Sequence, residues 1–131
     1  MLKKLQNTAK KAYVPYSKFH VSAIFVLKDG STYDGFNIEN AAYPSSMCAE
    51  RVAIYSMINH GVDTTQVEEV HVFTPDSQDF LSPCGACRQV LTEFINPETK
   101  IFMYNKEGKF IQNSFNEIAP LPVKRKTIQG E

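Results

Sequence analysis

Phe19-His20-Val21-Ser22-Ala23-Ile24-Phe25-Val26-Leu27-Lys28-Asp29-Gly30-Ser31 is the stretch on which the fold turns. Its apolar side chains fall on both alternating faces, with Val21, Ala23, Phe25 and Leu27 on one and Ile24 and Val26 on the other. Successive side chains of a strand point to opposite sides of its sheet, so a strand that is apolar on both is one covered from both sides. Lys28-Asp29-Gly30-Ser31 then offers a hairpin turn, returning the chain along residues 32–38 as a second strand. Upstream, Leu2, Leu5, Ala9, Ala12 and Tyr13 recur at helical spacing, with Lys3, Lys4, Lys10 and Lys11 largely opposite. This pattern predicts a short amphipathic helix stopped by Pro15.

Downstream, Pro44 marks a loop, and Ser45 or Ser46 is the expected cap of a helix running to about Asn59. That helix turns Ala49, Val52, Ala53, Ser56 and Met57 inward, carries Cys48 in its first turn and stops at Gly61. Residues 67–73 read as a strand. Ser82 and Pro83 then supply an N-cap and first residue for a helix through Ile95, with Cys84 and Cys87 in its first turns. Residues 100–104 and 110–111 are two short strands about a turn at 105–109. The order α, β, β, α, β, α, β, β predicts an α/β sandwich, a central sheet with helices on both faces.

Its 131 residues suit one domain, and 43% hydrophobic residues supply a core. We expect that domain over residues 1–123 and a polar, flexible tail over 124–131. Fourteen basic and 14 acidic residues cancel, so no net field draws the chain to nucleic acid or an anionic membrane; a small neutral substrate fits best. No signal-peptide or membrane-spanning stretch is apparent, and the expected location is the cytoplasm. Three cysteines cannot all pair within one chain, and a reducing compartment disfavours disulfides, leaving inert thiols, reactive thiols or metal ligands.

Cys84 and Cys87, three apart on a helix, share a face and can hold one metal ion. Thirty-five residues separate Cys48 from Cys84, enough for a helix and a strand to bring two helix starts together. Structural zinc takes four protein ligands, whereas three and an open position is the catalytic pattern. Helix N-termini favour thiolates. Taken alone, Cys-x-x-Cys is equally a redox dithiol or a pair of buried thiols; the neighbouring residues decide between these readings.

Cys48-Ala49-Glu50 followed by Pro83-Cys84-Gly85-Ala86-Cys87 resembles the signature of the zinc deaminases. With Phe36-Asn37-Ile38-Glu39-Asn40-Ala41-Ala42-Tyr43 and Ser82-Pro83-Cys84-Gly85-Ala86-Cys87-Arg88-Gln89-Val90, residues 16–118 are similar to the small homotetrameric cytidine deaminases. The resemblance implies a three-layer α-β-α sandwich about a mixed five-stranded sheet. It also implies one zinc per chain on Cys48, Cys84 and Cys87, and hydrolysis of cytidine and 2′-deoxycytidine to the uridines with release of ammonia in pyrimidine salvage. Glu50 is then the proton shuttle. Positions two apart on an ideal helix point about 200° apart, so Cys48 and Glu50 converge only on a metal just beyond the helix N-terminus.

Three thiolates on Zn²⁺ leave a net negative charge that something should offset. By the same resemblance Arg51 donates to the ligand thiolates, Asn37 and Glu39 bind ribose hydroxyls, Phe19 packs on the pyrimidine, and Tyr43 contacts a neighbouring subunit. His20, His60 and His71 lack ligand spacing. The chain departs from its relatives at Pro44 and Ser22, where glycine is common, and at Val123, where the C-terminal segment usually has Phe, so an aromatic wall of the base pocket is missing. A deaminase of another small aminated ring, such as a nucleoside antibiotic, uses the same metal core. Zero net charge argues against a polynucleotide substrate, and Glu50 beside a three-ligand site argues against a non-enzymatic zinc module.

Overall fold

The computed structural model describes residues 1–130. Strands β1 (Ser22–Leu27), β2 (Thr32–Phe36), β3 (Val67–Phe73), β4 (Lys100–Tyr104) and β5 (Phe110–Ser114) form, among the described residues, one five-stranded sheet ordered β2-β1-β3-β4-β5. Only β3 and β4 run parallel; the other pairs are antiparallel, so the sheet is mixed. Helix α1 (Leu2–Ala9) covers one face, and α2 (Ala49–Asn59) and α3 (Gly85–Phe94) cover the other. This is the expected sandwich.

The two-sided apolar pattern of residues 19–27 explains the layering. Ala23, Phe25 and Leu27 pack with Ala53, Ile54, Met57 and Leu91 under α2 and α3, while Ile24 packs with Leu5, Ala9 and Phe73 under α1. Phe25 and Ile24 are both fully buried, each contributing about 1.5–3 kcal/mol through removal of apolar surface from water. Gly35 on β2 lets α2 approach backbone to backbone: a Cβ there would lie 2.4 Å from the Ala49 carbonyl oxygen and 2.6 Å from the Ala53 nitrogen.

Both thiol-bearing helices begin later than their serines suggest. Ser46 Oγ accepts from the Asn40 N–H, and Met47 exchanges two backbone bonds with Ile38. The chain is therefore still extended at Cys48 (φ −74°, ψ 153°), which is the N-cap of α2. Ser45 belongs to a short 3₁₀ turn, Tyr43–Ser45. In α3 the hydroxyl of Ser82 is taken by Arg88, and Cys84 (φ −66°, ψ 167°) becomes the cap, its Sγ accepting from the Cys87 N–H. Residues 19–21 precede β1 rather than belonging to it, because Asn37, not a neighbouring strand, takes the Val21 N–H. Helix α1 stops at Ala9, short of Tyr13, whose backbone pairs with Asn37 and Glu39.

Strand β5 continues to Ser114, where a capping box with Glu117 starts the short helix α4 (Phe115–Ile118). A final turn of helix, α5 (Arg125–Gln129), is exposed, and Glu131 of the expected tail lies outside the described residues. No helix among the described residues is long and apolar enough to cross a membrane.

Candidate active site

The starts of α2 and α3 bring together Cys48, Cys84 and Cys87, whose sulfurs all lie within 4.8 Å of one another. Cys48 and Cys84 Sγ are 3.5 Å apart. Three sulfurs held tetrahedrally about zinc at ~2.3 Å would be about 3.8 Å from each other, so the cluster fits the ion with little rearrangement. Because Cys48 and Cys84 are N-caps and Cys87 lies in the first turn of α3, all three thiols lie at helix ends whose N–H groups and dipoles favour negative charge.

The electrostatics of the cluster match that geometry. Hydrogen bonding from Cys87, then from Arg51 and Cys84, outweighs burial and pulls the Cys48 thiol down to about 5, so it is a thiolate at neutral pH. The Cys87 thiol is pushed up, first by its bond to Cys48 and then by burial. Arg51 Nη2 donates to Cys48 Sγ at 3.4 Å, and that bond holds the guanidinium firmly protonated. Its Nε is buried and lacks a hydrogen-bond acceptor among the described residues. The donor set therefore fits a divalent soft cation on both distance and charge.

Glu50, the second residue of α2, is buried with 3% exposure. Its Oε2 lies 3.8 Å from Cys87 Sγ, and burial, reinforced by the nearby Cys48 thiolate, raises its carboxyl to about 7. A carboxyl so tuned can both accept and return a proton near neutral pH. Cys48, extended rather than helical, and Glu50 line the same cavity.

A cavity of about 210 Å³ opens onto this cluster, lined by Phe19, Val21, Asn37, Cys48, Ala49, Glu50, Leu81, Ser82 and Cys84. The structure thus gathers Phe19 and Asn37 with the thiols and Glu50. It does not put Glu39 on the cavity wall: Glu39 Oε1 accepts from the Tyr16 and Ser17 N–H groups at 3.0 and 3.1 Å. Asn37 also serves the same loop, accepting from the Val21 N–H at 2.9 Å and donating to the Phe19 carbonyl at 2.8 Å. Tyr43 is 70% exposed and packs edge to face on Tyr16. Val123 stands outside the wall; its carbonyl accepts from Gln89 Nε2 at 2.9 Å.

Of the residues around the cavity, sequence reasoning passed over two groups. Leu81 is an ordinary leucine in a loop, and its place on the wall has no local signal. Arg88 stands within a quoted motif, yet only the structure gives its work: it donates to the Pro83 carbonyl at 2.7 Å, the Ile118 carbonyl at 2.5 Å and the Ser82 hydroxyl. It thereby binds the Ser82-Pro83 approach to the end of α4, so Cys84 caps α3 from a braced segment.

Residues 1–103 match the family model for the cytidine and deoxycytidylate deaminase zinc-binding region. The chain is 38% identical over 115 residues to a cytidine deaminase of Sporosarcina psychrophila, covering 88% of this chain and 82% of the relative. Over 118 residues it is 38% identical to a cytidine deaminase of Mycoplasma genitalium, covering 90% and 88%. The crystal structure of a cytidine deaminase from Burkholderia pseudomallei superposes with a TM-score of 0.87 at 33% identity, over 92% of this chain and 94% of that one.

Proposed function

This chain belongs to the cytidine and deoxycytidylate deaminase family, and from that premise we propose that it hydrolyses cytidine and 2′-deoxycytidine to uridine and 2′-deoxyuridine, releasing ammonia. The observation that carries the reading is the meeting of three thiols and one buried carboxyl, raised to about 7, beside a cavity of about 210 Å³ whose wall includes Cys48, Cys84 and Glu50. Zinc is the cofactor, with Cys48, Cys84 and Cys87 as its protein ligands. When bound, it supplies Lewis-acid activation of water at neutral pH.

The chain's own groups do the rest. Glu50 takes one proton from the attacking water on a carboxylate oxygen and gives it to the pyrimidine ring nitrogen as the water oxygen bonds to the amino-bearing carbon. It then passes the remaining proton of that oxygen to the amino group, whose bond to the carbon breaks, so that cytidine and water leave as uridine and ammonia. Phe19 packs on the base. Asn37, after its two bonds to the loop, retains one N–H and one oxygen lone pair for a ribose hydroxyl, and Glu39 retains the oxygen not engaged by Tyr16 and Ser17. Arg51 offsets thiolate charge through Cys48. A homotetramer in the cytoplasm, with neither nucleic acid nor membrane as partner, completes the reading. The relatives are named for cytidine, so a different aminated ring gains no support.

The test follows ultraviolet absorbance of purified protein with cytidine, together with zinc content. Loss of the cytidine band at about one zinc per chain supports the reading. Full zinc occupancy without turnover of either cytidine nucleoside would overturn it.

A further inference from the structure

The loop that carries Phe19 has no helix or strand of its own, yet each N–H from residue 16 to 21 has an acceptor. Glu39 takes those of Tyr16 and Ser17, and the Val14 carbonyl takes that of Lys18 at 3.0 Å. Ser17 Oγ takes Phe19 at 3.0 Å, Asp76 Oδ2 takes His20 at 2.7 Å, and Asn37 Oδ1 takes Val21. Lys18 sits at φ +60°, a left-handed conformation that a lysine holds only where its surroundings over-determine it. Of these acceptors, Glu39 and Asn37 follow β2, and Asp76 alone comes from the far side, beyond the end of the central strand β3.

Side chains alternate along an extended segment. Phe19 and Val21 face the cavity, while His20 turns away to Asp76, whose Oδ2 meets both the His20 backbone N–H and, at 2.8 Å, its Nδ1. Asp76 is itself held, donating its own N–H to Oγ1 of the fully buried Thr74 at 3.1 Å. Asn37 grips the carbonyl of Phe19 and the N–H of Val21, so the peptide bearing the aromatic ring is clamped between Asn37 and Asp76. We propose that Asp76 is a positioning residue for the nucleoside site, acting through the His20 N–H to set where the Phe19 ring meets the base.

This role rests on the cytidine deaminase reading and adds a residue to it. Phe19 touches the base equally in the bound and reacting states, so loosening the clamp weakens binding more than it slows chemistry. The bonds Asp76 makes go to His20 and Thr74 and to none of the thiols, so metal retention is spared. A residue of merely structural importance would not divide its effects in this way.

The experiment uses zinc-loaded full-length protein and measures cytidine kinetics, zinc content and amide hydrogen exchange for wild type, Asp76→Ala, Asp76→Asn and His20→Ala. Asp76→Ala is expected to raise KM about tenfold with kcat within about twofold of wild type and zinc retained, and to speed exchange at the His20 amide about tenfold or more. Asp76→Asn keeps an acceptor oxygen and restores most of the affinity. His20→Ala keeps the backbone N–H and moves KM less than Asp76→Ala does. An unchanged KM in Asp76→Ala, no rescue by Asp76→Asn, or loss of zinc together with kcat would overturn the assignment. Should Asp76→Ala not fold, Asp76→Ser, too short to reach His20, takes its place with the same expected outcomes. Failure of the wild type to deaminate cytidine would strike the functional reading instead. The exchange at His20 would still decide the clamp, unchanged protection in the variant overturning it.

Discussion

The thiol cluster and the Phe19 loop border the same cavity but are held in place by different forces. Cys87 and Ala49 are wholly buried, and the helices that present the thiols rest on the core beneath α2 and α3. In the loop, Tyr16, Ser17 and Lys18 are exposed, and the restraint comes from polar acceptors. Hydrophobic packing holds the buried part of the chemical centre, Cys87 and Glu50, although Cys84 is exposed, whereas a solvent-facing net of hydrogen bonds, each worth about 0.5–1.5 kcal/mol net, opens at much lower cost. A site made this way keeps its reacting groups rigid and its binding wall adjustable.

The largest effect that would sharpen this contrast is the loss of one core-held chemical group. Glu50→Gln keeps the shape of α2 but removes the group that carries the proton in the proposed reaction, and cytidine turnover should fall by at least about 10²–10⁴-fold while zinc stays bound. Turnover near wild type would remove Glu50 from the mechanism. Next comes the packing under the cluster. Gly35→Ala drives a Cβ into the backbone of α2, and overpacking of this severity should cost about 3 kcal/mol or more, read as a fall in Tm; an unchanged Tm would show that α2 shifts freely and that the cluster is not core-held.

Arg51→Ala removes the donor to Cys48 and should weaken zinc binding about 10–100-fold in a chelator competition, as losses of ligand-orienting partners do. Asn37→Ala leaves the Phe19 carbonyl and Val21 N–H without their partners, and cytidine KM should rise about tenfold or more with zinc content unchanged. Equal damage to zinc retention by Asn37→Ala would break the proposed division between core and loop.

The smallest effect is acid sensitivity. The Ser17 hydroxyl, with the Ser17 and Tyr16 amides, holds the Glu39 carboxyl below its ordinary 4.5. Burial pushes Asp76 up, but the N–H and ring of His20 together bring it below its ordinary 3.8. A depressed carboxyl stabilises the fold above its ordinary value and loses that contribution as the pH falls through its value in the fold. Amide exchange corrected for intrinsic rate should therefore quicken in residues 16–21 below about pH 4.5 before it does in α2. Simultaneous loosening of both would count against a separately held loop.

The motif residues were legible because their chemistry is local and their spacing is the signal. Cys48, Glu50, Cys84 and Cys87 could be picked out as one constellation without knowing the path between them, and Phe25 and Ile24 announced a sheet covered on both faces. Helix starts were less legible. Ser45, Ser46 and Ser82 are good caps by composition, but a serine caps a helix only if no other partner claims its surroundings. Here Ile38 keeps the chain extended through Met47, and Arg88 claims Ser82. The capping box of Ser114 and Glu117 shows the converse, a local signal present in the sequence and read past.

By itself, then, the sequence determined the layers, the family, the metal-type thiol set and the carboxyl of Glu50 beside it, since each depends on alternation or short spacing along the chain. The tertiary structure alone decided that Glu39 and Asn37 brace the Phe19 loop, that Arg88 ties Ser82 to Ile118, and that Asp76 meets His20 across 56 positions of chain. Those bonds join segments distant in sequence, and no local pattern records which donor a long-range acceptor will meet once the sheet has brought them together.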